Sequence, residues 1–288
     1  MPAIRICVGN RQGGVGKSTV VMMLAHTLAS IGSKRVLVMD LDTQCNSSFA
    51  FVGSDRVREA FDGKNTLSDY MGKRIRGHAV SASGFIIENV GDIEANGGVI
   101  HLLPSSIDLD DNINDAIIET RQADPFNAMN FMVRELLETV AEDYDYVLLD
   151  CPPGLSPLVN AAVGLSHRTI IPFRPDYISQ YAVDRMADKV QKTGRLGRAR
   201  KQLADVPLTE RKYVSLVNLY GATARENRIL DDFDGTHPRL DIRMKRQGDV
   251  AEAFYWLDQR QSLEAKYGSA CGQVLGLYQE ITGWLSRA

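Results

Sequence analysis

A doubly wound α/β fold, with a mostly parallel sheet flanked by helices, is the class that this 288-residue sequence predicts. Three observations carry that prediction. A short β-branched run, Ile4 to Val8, feeds a glycine-rich turn, a helix-like stretch and a second apolar run ending at Asp40. Strand, helix and strand in that order make a βαβ unit, which is necessarily parallel. Later apolar runs near 99–106, 144–150, 169–173 and 213–218 read as further buried strands, and helical periodicity separates them. Finally, 44 % apolar and 24 % charged residues are ordinary for a globular chain long enough to bury a core without a disulfide or metal staple. A single domain over residues 1–288 is the expectation.

The first strand leads into Arg11-Gln12-Gly13-Gly14-Val15-Gly16-Lys17-Ser18-Thr19. A strand entering a glycine-rich turn at a helix start aims backbone N–H groups and the positive end of the helix dipole at one spot. Gly13, Gly14 and Gly16 have no Cβ, so the backbone wraps an anion closely and takes positive φ where needed. Lys17 supplies a mobile cation for β- and γ-phosphate oxygens, and the Ser18 hydroxyl is placed to ligate Mg²⁺. This is a nucleoside-triphosphate site.

In the predicted helix Ser18 to Ser30, Val20, Val21, Leu24, Ala25 and Leu28 share one face, and Gly32 is the expected C-cap. Arg35 to Asp40 reads as a fully buried strand. Asp40 and Asp42 follow at i and i+2, just where open α/β sheets bind ligands. Residues 47–100 say little: a short helix at 66–71 and a loop around 77–84 are expected. The run 99–106 is a strand that stops at Pro104, with His101 read as a packed core residue. Phe126 to Val140 is helical, with Met129, Val133, Leu136, Leu137 and Val140 on one face. The strand after it ends at Asp150, which would hold the hydration shell of Mg²⁺, and Pro152-Pro153-Gly154 stiffens the turn beyond. Two more strands, 169–173 and 213–218, precede a final helix over Gly272 to Ala288.

Residues 10–19, 40–46 and 146–154 together resemble the ParA/MinD family of P-loop ATPases, which have a deviant Walker A loop and a SIMIBI-type P-loop NTPase fold. In that family a signature lysine precedes the Gly-Gly pair and reaches across a dimer to the partner's nucleotide. Gln12 stands at that position here. The stretch 40–46 is similar to switch I of the family, which implies that Asp42 positions the attacking water while Asp40 supports Mg²⁺ from behind its direct ligands. Asp150 and the Pro-Pro-Gly turn resemble Walker B and switch II. Asn218 matches the asparagine that hydrogen-bonds adenine, a polar strand terminus being the alternative, and 242–252 resembles the late loop and helix start near the nucleobase.

The resemblance therefore implies Lys17 and Asp42 as catalytic residues, and ATP held by Gly13, Gly14, Val15, Gly16, Lys17, Ser18, Thr19 and Asn218. Mg²⁺ falls to Ser18, Asp40 and Asp150. It further implies an ATP-dependent homodimer, a hydrolysis-stimulating ParB-like or cargo-adaptor partner, and a cytoplasmic, nucleoid-associated protein that positions a plasmid, a chromosome or a protein compartment. Two alternatives stand beside this reading: a MinD-like membrane-cycling regulator, and a nucleotide-dependent scaffold that hydrolyses little, which Gln12 makes credible. Relatives of the nitrogenase iron protein carry a cysteine where Cys151 stands and share a cluster through it. The second cysteine that this needs is missing around 95–110, so Cys151 reads as a small buried residue.

The formal net charge of −3 argues against a uniformly basic nucleic-acid binder but hides local asymmetry. Eight cations, among them Arg195, Arg198, Arg200 and Lys201, lie between Lys189 and Lys212 against two carboxylates. Arg239, Arg243, Lys245 and Arg246 form a second group. A solvated face is the usual origin of such runs. In the ParA branch this region carries non-specific DNA contacts, so Arg195, Arg198, Arg200, Lys201, Arg243, Lys245 and Arg246 are the DNA-binding candidates. No residues precede the first strand to form a helix-turn-helix, so operator-specific binding is not expected. The four cysteines show no metal-ligand spacing, no apolar stretch approaches ~20 residues, and no room is left for a signal peptide, which points to a reducing, cytoplasmic setting. The last helix has Arg287 as its lone cation, so docking on the core is expected of it and membrane anchoring is not.

Overall fold

The computed structural model describes residues 2–121, 124–191, 212–234 and 236–286. The strands are β1 (Ile4–Val8), β2 (Arg35–Asp40), β3 (Val99–Leu103), β4 (Tyr146–Asp150), β5 (Arg168–Phe173), β6 (Tyr213–Tyr220) and β7 (Arg239–Lys245). Among the described residues they form one sheet in the order β3-β2-β4-β1-β5-β6-β7, with every neighbouring pair parallel. Parallel neighbours cannot be joined by a hairpin, so each connection crosses a face of the sheet, mostly as helix.

Side chains alternate along each strand and build two apolar layers. Ile6, Val8, Val36, Val38, Leu148 and Ile170 face one layer. There they meet α1 (Lys17–Ser30), α2 (Asn46–Asp62) and the last helix, α11 (Cys271–Ser286). Cys7, Leu37, Met39, Val147, Leu149 and Ile171 face the other. That layer holds α3 (Leu67–Ile75), α4 (Leu109–Glu119), α5 (Pro125–Thr139), α6 (Pro157–Leu165), α7 (Tyr177–Gln191) and α8 (Ala224–Phe233). Coverage of both faces is why the strands read as unbroken apolar runs. Two short helices, α9 (Gly248–Glu252) and α10 (Leu263–Tyr267), complete the first layer.

At four points the structure corrects or adds to what the sequence predicts. The left-handed residue after α1 is Ser33 (φ 50°), not Gly32. Gly32 is needed for closeness, since a Cβ there would lie 2.7 Å from the Leu28 carbonyl oxygen. The uninformative region holds the seventeen-residue α2, which bends at Gly53 (φ 73°, ψ 175°) and so shows no continuous period. The expected loop at 77–84 runs into a 3₁₀ turn, Ala82–Phe85. The stretch 242–252, expected as loop and helix start, begins as the end of edge strand β7, whose alternating Arg239, Asp241, Arg243 and Lys245 disguise it, and its helix start is α9. His101 packs edge-on against Tyr144 and bonds its hydroxyl at 2.9 Å. The last helix buries Val274, Leu277, Ile281 and Trp284 against α1 and β7. Among the described residues no helix is long and apolar enough to cross a membrane.

Candidate functional site

The sheet places β1 between β4 and β5, and the chain leaves β1 through the glycine-rich turn. At that end of the sheet lies a cavity of about 520 Å³, within the range of small-molecule sites. Gly13, Gly16, Lys17 and Asp42 line one part of it, and Gln247 and Phe254 another.

The turn has the shape its glycines were expected to permit. Gly14 and Gly16 sit at φ 67° and 83°. Gly13 does not, and a Cβ on it would meet nothing within 4 Å. Gly16 is the N-cap of α1 and offers no capping side chain, so the first-turn N–H groups of α1 have no side-chain partner from the cap. Such a helix start is a ready anion site. Lys17 is 6 % exposed, and its Nζ donates to the Gln12 carbonyl at 3.2 Å. Burial lowers its pKa, with Asp150 and Asp42 pulling the other way.

Asp40 and Asp150 are register partners at the ends of β2 and β4, and both are fully buried. Ser48 donates to Asp40 through N–H and Oγ, at 2.8 and 2.7 Å, and the Asp42 N–H adds a bond at 3.1 Å. Burial and the nearby Asp150 carboxylate still push the Asp40 pKa up to about 8. Asp150 accepts from Ser47 Oγ at 2.7 Å, but its Oδ1 is buried without a hydrogen-bond partner. Its pKa rises to about 6 from burial, with the Ser18 and Ser47 hydroxyls and Lys17 holding it back. Two buried carboxylates in this state, one with an orphaned oxygen, form a donor set that suits a hard divalent cation. Asp42, 5 % exposed, accepts the Gln44 N–H at 2.9 Å and faces the cavity.

Gly13, Gly14, Gly16, Lys17, Ser18, Thr19, Asp42 and Asn218 all line the one cavity, while Val15 is buried beneath it. Asn218 faces it with its amide already engaged: Nδ2 donates to the Val15 carbonyl at 2.9 Å and Oδ1 accepts the Leu219 N–H at 3.0 Å. It braces the turn. The seven DNA candidates separate. Arg195, Arg198, Arg200 and Lys201 lie outside the described residues. Lys245 and Arg246 line the cavity, and Arg243 stacks over the Tyr220 ring at 5.5 Å.

Sequence reasoning missed several contributors. Ser47 and Ser48 hold the two buried carboxylates from the start of α2, an element whose bend hid it. Gln247 lines the cavity with its Oε1 buried and unpartnered; it lies in the stretch 242–252 that the resemblance placed near a nucleobase, but no pattern singles out the residue itself. Asn10, Arg174 and Ser179 tie the turn to the β5–α7 connection. Asn10 Nδ2 donates to Pro172 O at 2.7 Å, Arg174 donates to Gly14 O at 2.6 Å, and Ser179 Oγ donates to Gln12 Oε1. Cys151 is buried, with its sulfur 3.3 Å from that of Cys7.

The family model for the AAA domain, AAA_31, matches residues 3–203, which contain the turn and all three aspartates. The chain belongs to this family of ParA/MinD-like P-loop ATPases. As a family member it is similar to the chromosome-partitioning ATPase Soj of Thermus thermophilus, 33 % identical over 64 % of this chain and 58 % of that protein. The chain spans about three fifths of the length of the curated relatives it matches. Its fold is that of apo McdA from Cyanothece (TM-score 0.68, 16 % identity, 97 % of this chain and 99 % of that one). It is also that of the septum site-determining protein MinD of Pyrococcus horikoshii, complexed with Mg-ADP (TM-score 0.65, 18 % identity, 99 % of each).

Proposed function

We propose that this ParA/MinD-like P-loop ATPase binds ATP with Mg²⁺, dimerises on it, binds DNA without sequence preference and positions a cargo. In this reading a ParB-like or adaptor protein stimulates hydrolysis, and the site of action is the cytoplasmic nucleoid surface. The observation that carries the reading is one cavity lined by the glycine turn, Lys17 and Asp42, with the buried Asp40–Asp150 pair at the neighbouring strand ends close enough for Asp150 to act on the Lys17 ammonium.

Each residue has a task that its surroundings support. The N–H groups of residues 13–19 and the Lys17 ammonium hold the phosphates. Burial makes that ammonium bind an anion more strongly than it would in water. Ser18, Asp150 and, behind them, Asp40 fit Mg²⁺, and the orphaned Asp150 Oδ1 is the particular observation in its favour. Bound there, the ion would neutralise charge on the β- and γ-phosphates. Asp42, fixed by the Gln44 N–H, holds and orients the attacking water.

Intrinsic turnover should be slow. A trans cation is worth on the order of 10³–10⁵ in related phosphoryl transfers, and neutral Gln12 cannot supply one. The same fact favours the second reading, a nucleotide-dependent scaffold. Phosphate release from Mg²⁺-ATP, measured for wild type and Lys17→Ala with and without DNA, tests both. Slow, Lys17-dependent release supports the ATPase. Tight ATP binding with no release above Lys17→Ala under either condition favours the scaffold, and absence of ATP binding defeats both.

A further inference from the structure

We propose that Gln12 is a latch within its own chain, which carries occupancy of the phosphate turn to the N-terminal end of α7. The inference rests on the nucleotide reading above, and names how that site communicates with the surface.

Three residues of the turn bond three residues of one connection. Asn10 holds Pro172 at the end of β5, Gly14 accepts from Arg174 in the linker, and Gln12 accepts from Ser179 in the first turn of α7. Ser179 is fully buried, and its N–H donates to Asp176 Oδ1 at 2.7 Å, so the same residue is tied to the cap of α7. Met186, two turns along, packs so tightly on Gly9 that a Cβ there would come 2.7 Å from its Cε. Residues 9–14 thus meet the β5–α7 segment at four places, two of them on α7 itself.

Gln12 is the joint that a nucleotide would disturb. Its carbonyl oxygen accepts the Lys17 ammonium, its N–H donates to Asn10 Oδ1 at 3.1 Å, and its side chain accepts from Ser179. Phosphate oxygens bind an ammonium far more strongly than a neutral carbonyl does. Lys17 therefore leaves Gln12 when a triphosphate enters, and the Gln12 backbone loses the contact that sets its position. Because the Gln12 amide is bonded to Ser179, the readjustment is passed to α7. At that end of α7 stand Tyr177, Ile178 and Tyr181, which are 60 %, 74 % and 56 % exposed. Nucleotide state thus reaches an exposed aromatic surface through one side chain.

The test is amide hydrogen exchange over residues 177–185 in the full chain, with and without Mg²⁺-ATP, alongside ATP affinity by calorimetry. Wild type should bind ATP and change exchange in this segment by about five- to tenfold, the scale of one hydrogen bond. Ser179→Ala and Gln12→Ala should each retain ATP affinity and lose the ATP-dependent difference, and the double variant should lose no more than either. A purely structural role would raise exchange equally in both states and leave the difference standing. A difference that persists in Ser179→Ala, or losses that add in the double variant, would overturn the latch. Failure of wild type to bind ATP would instead overturn the nucleotide reading, and the latch with it.

Discussion

Replacing Gly16 by alanine should damage the phosphate turn more than the same change at either neighbouring glycine, for two separable reasons. The residue sits at φ 83°, where an L side chain costs about 1–2 kcal/mol. Its new Cβ would also run into the Asn218 amide nitrogen, which holds the Val15 carbonyl through a bond worth about 1 kcal/mol. Together these amount to about 2–3 kcal/mol, or roughly a 30- to 150-fold loss of ATP affinity. Gly14→Ala meets the Arg174 guanidinium at 3.6 Å, an ordinary contact, so it should show the strain alone. Gly13→Ala meets nothing in the free protein. Calorimetric titration of all three with Mg²⁺-ATP should rank them in that order. In an Asn218→Ala background the cost of Gly16→Ala should shrink by the clash component, a coupling that a double-mutant cycle reads directly. Equal losses at the three glycines, or strict additivity between Gly16 and Asn218, would refute the reasoning.

Asp42→Ala should bind ATP within a few-fold of wild type and lose turnover by about 10²–10⁴, the range for a positioned general base; unchanged phosphate release would remove Asp42 from catalysis. Gln247→Leu removes an unpartnered buried oxygen, so the nucleotide-free protein should melt no lower than wild type while ATP affinity falls about fivefold. Calorimetry beside thermal melts checks both, and undiminished affinity would exclude Gln247 from nucleotide contact. His26 is fully buried with its pKa lowered to about 3 by burial, and Lys266 adds to the shift. The unfolded chain therefore takes up a proton below pH ~6.5 that the folded chain refuses, and stability falls by about 2 kcal/mol between pH 7.5 and 5. His26→Gln should lose that part of the pH dependence in denaturant melts, and identical slopes would contradict it.

How far the sequence could be read depended on how local each signal was. The turn at 10–19 and the strand ends at Asp40 and Asp150 were legible because a phosphate site needs particular residues at consecutive positions. The layers were legible because strands buried on both faces must be apolar throughout. What escaped depends on contacts between segments far apart. Ser47 and Ser48 meet Asp150 and Asp40 across 103 and eight residues, from a helix whose period Gly53 interrupts. Ser179 reaches Gln12 across 167 residues. Nothing in the neighbourhood of either residue announces the bond. Asn218 shows a subtler limit: read as a strand terminus, it lies inside β6, which runs on to Tyr220, and its grip on Val15 is a matter of side-chain direction.

The distribution of cations is where local reading misleads most, and it gives the sharpest test of the DNA proposal. Four residues of the late basic group looked alike in sequence. Arg239 pairs with Asp234 at 2.6 Å, Arg243 lies against Tyr220, and Lys245 and Arg246 line the same cavity as Lys17. An edge strand followed by a cavity wall divides them, so they do not act as one patch. Non-specific DNA binding, if it follows phosphate charge, then belongs chiefly to the group at Arg195–Lys201. Two charge-reversal variants separate the regions. Arg198→Glu, Arg200→Glu and Lys201→Glu together should weaken retention on DNA of any sequence and leave ATP affinity unchanged. Each phosphate contact removed lowers the log–log salt slope by about 0.9, so three lower it by about 2.7. Lys245→Glu with Arg246→Glu should act first on ATP affinity, because these cations face the cavity, and on DNA only where retention needs bound nucleotide. Filter retention across a salt series, paired with calorimetry, measures both. DNA retention that survives the triple reversal but fails in the pair without any loss of ATP affinity would place the DNA surface at β7 and overturn this partition of charge.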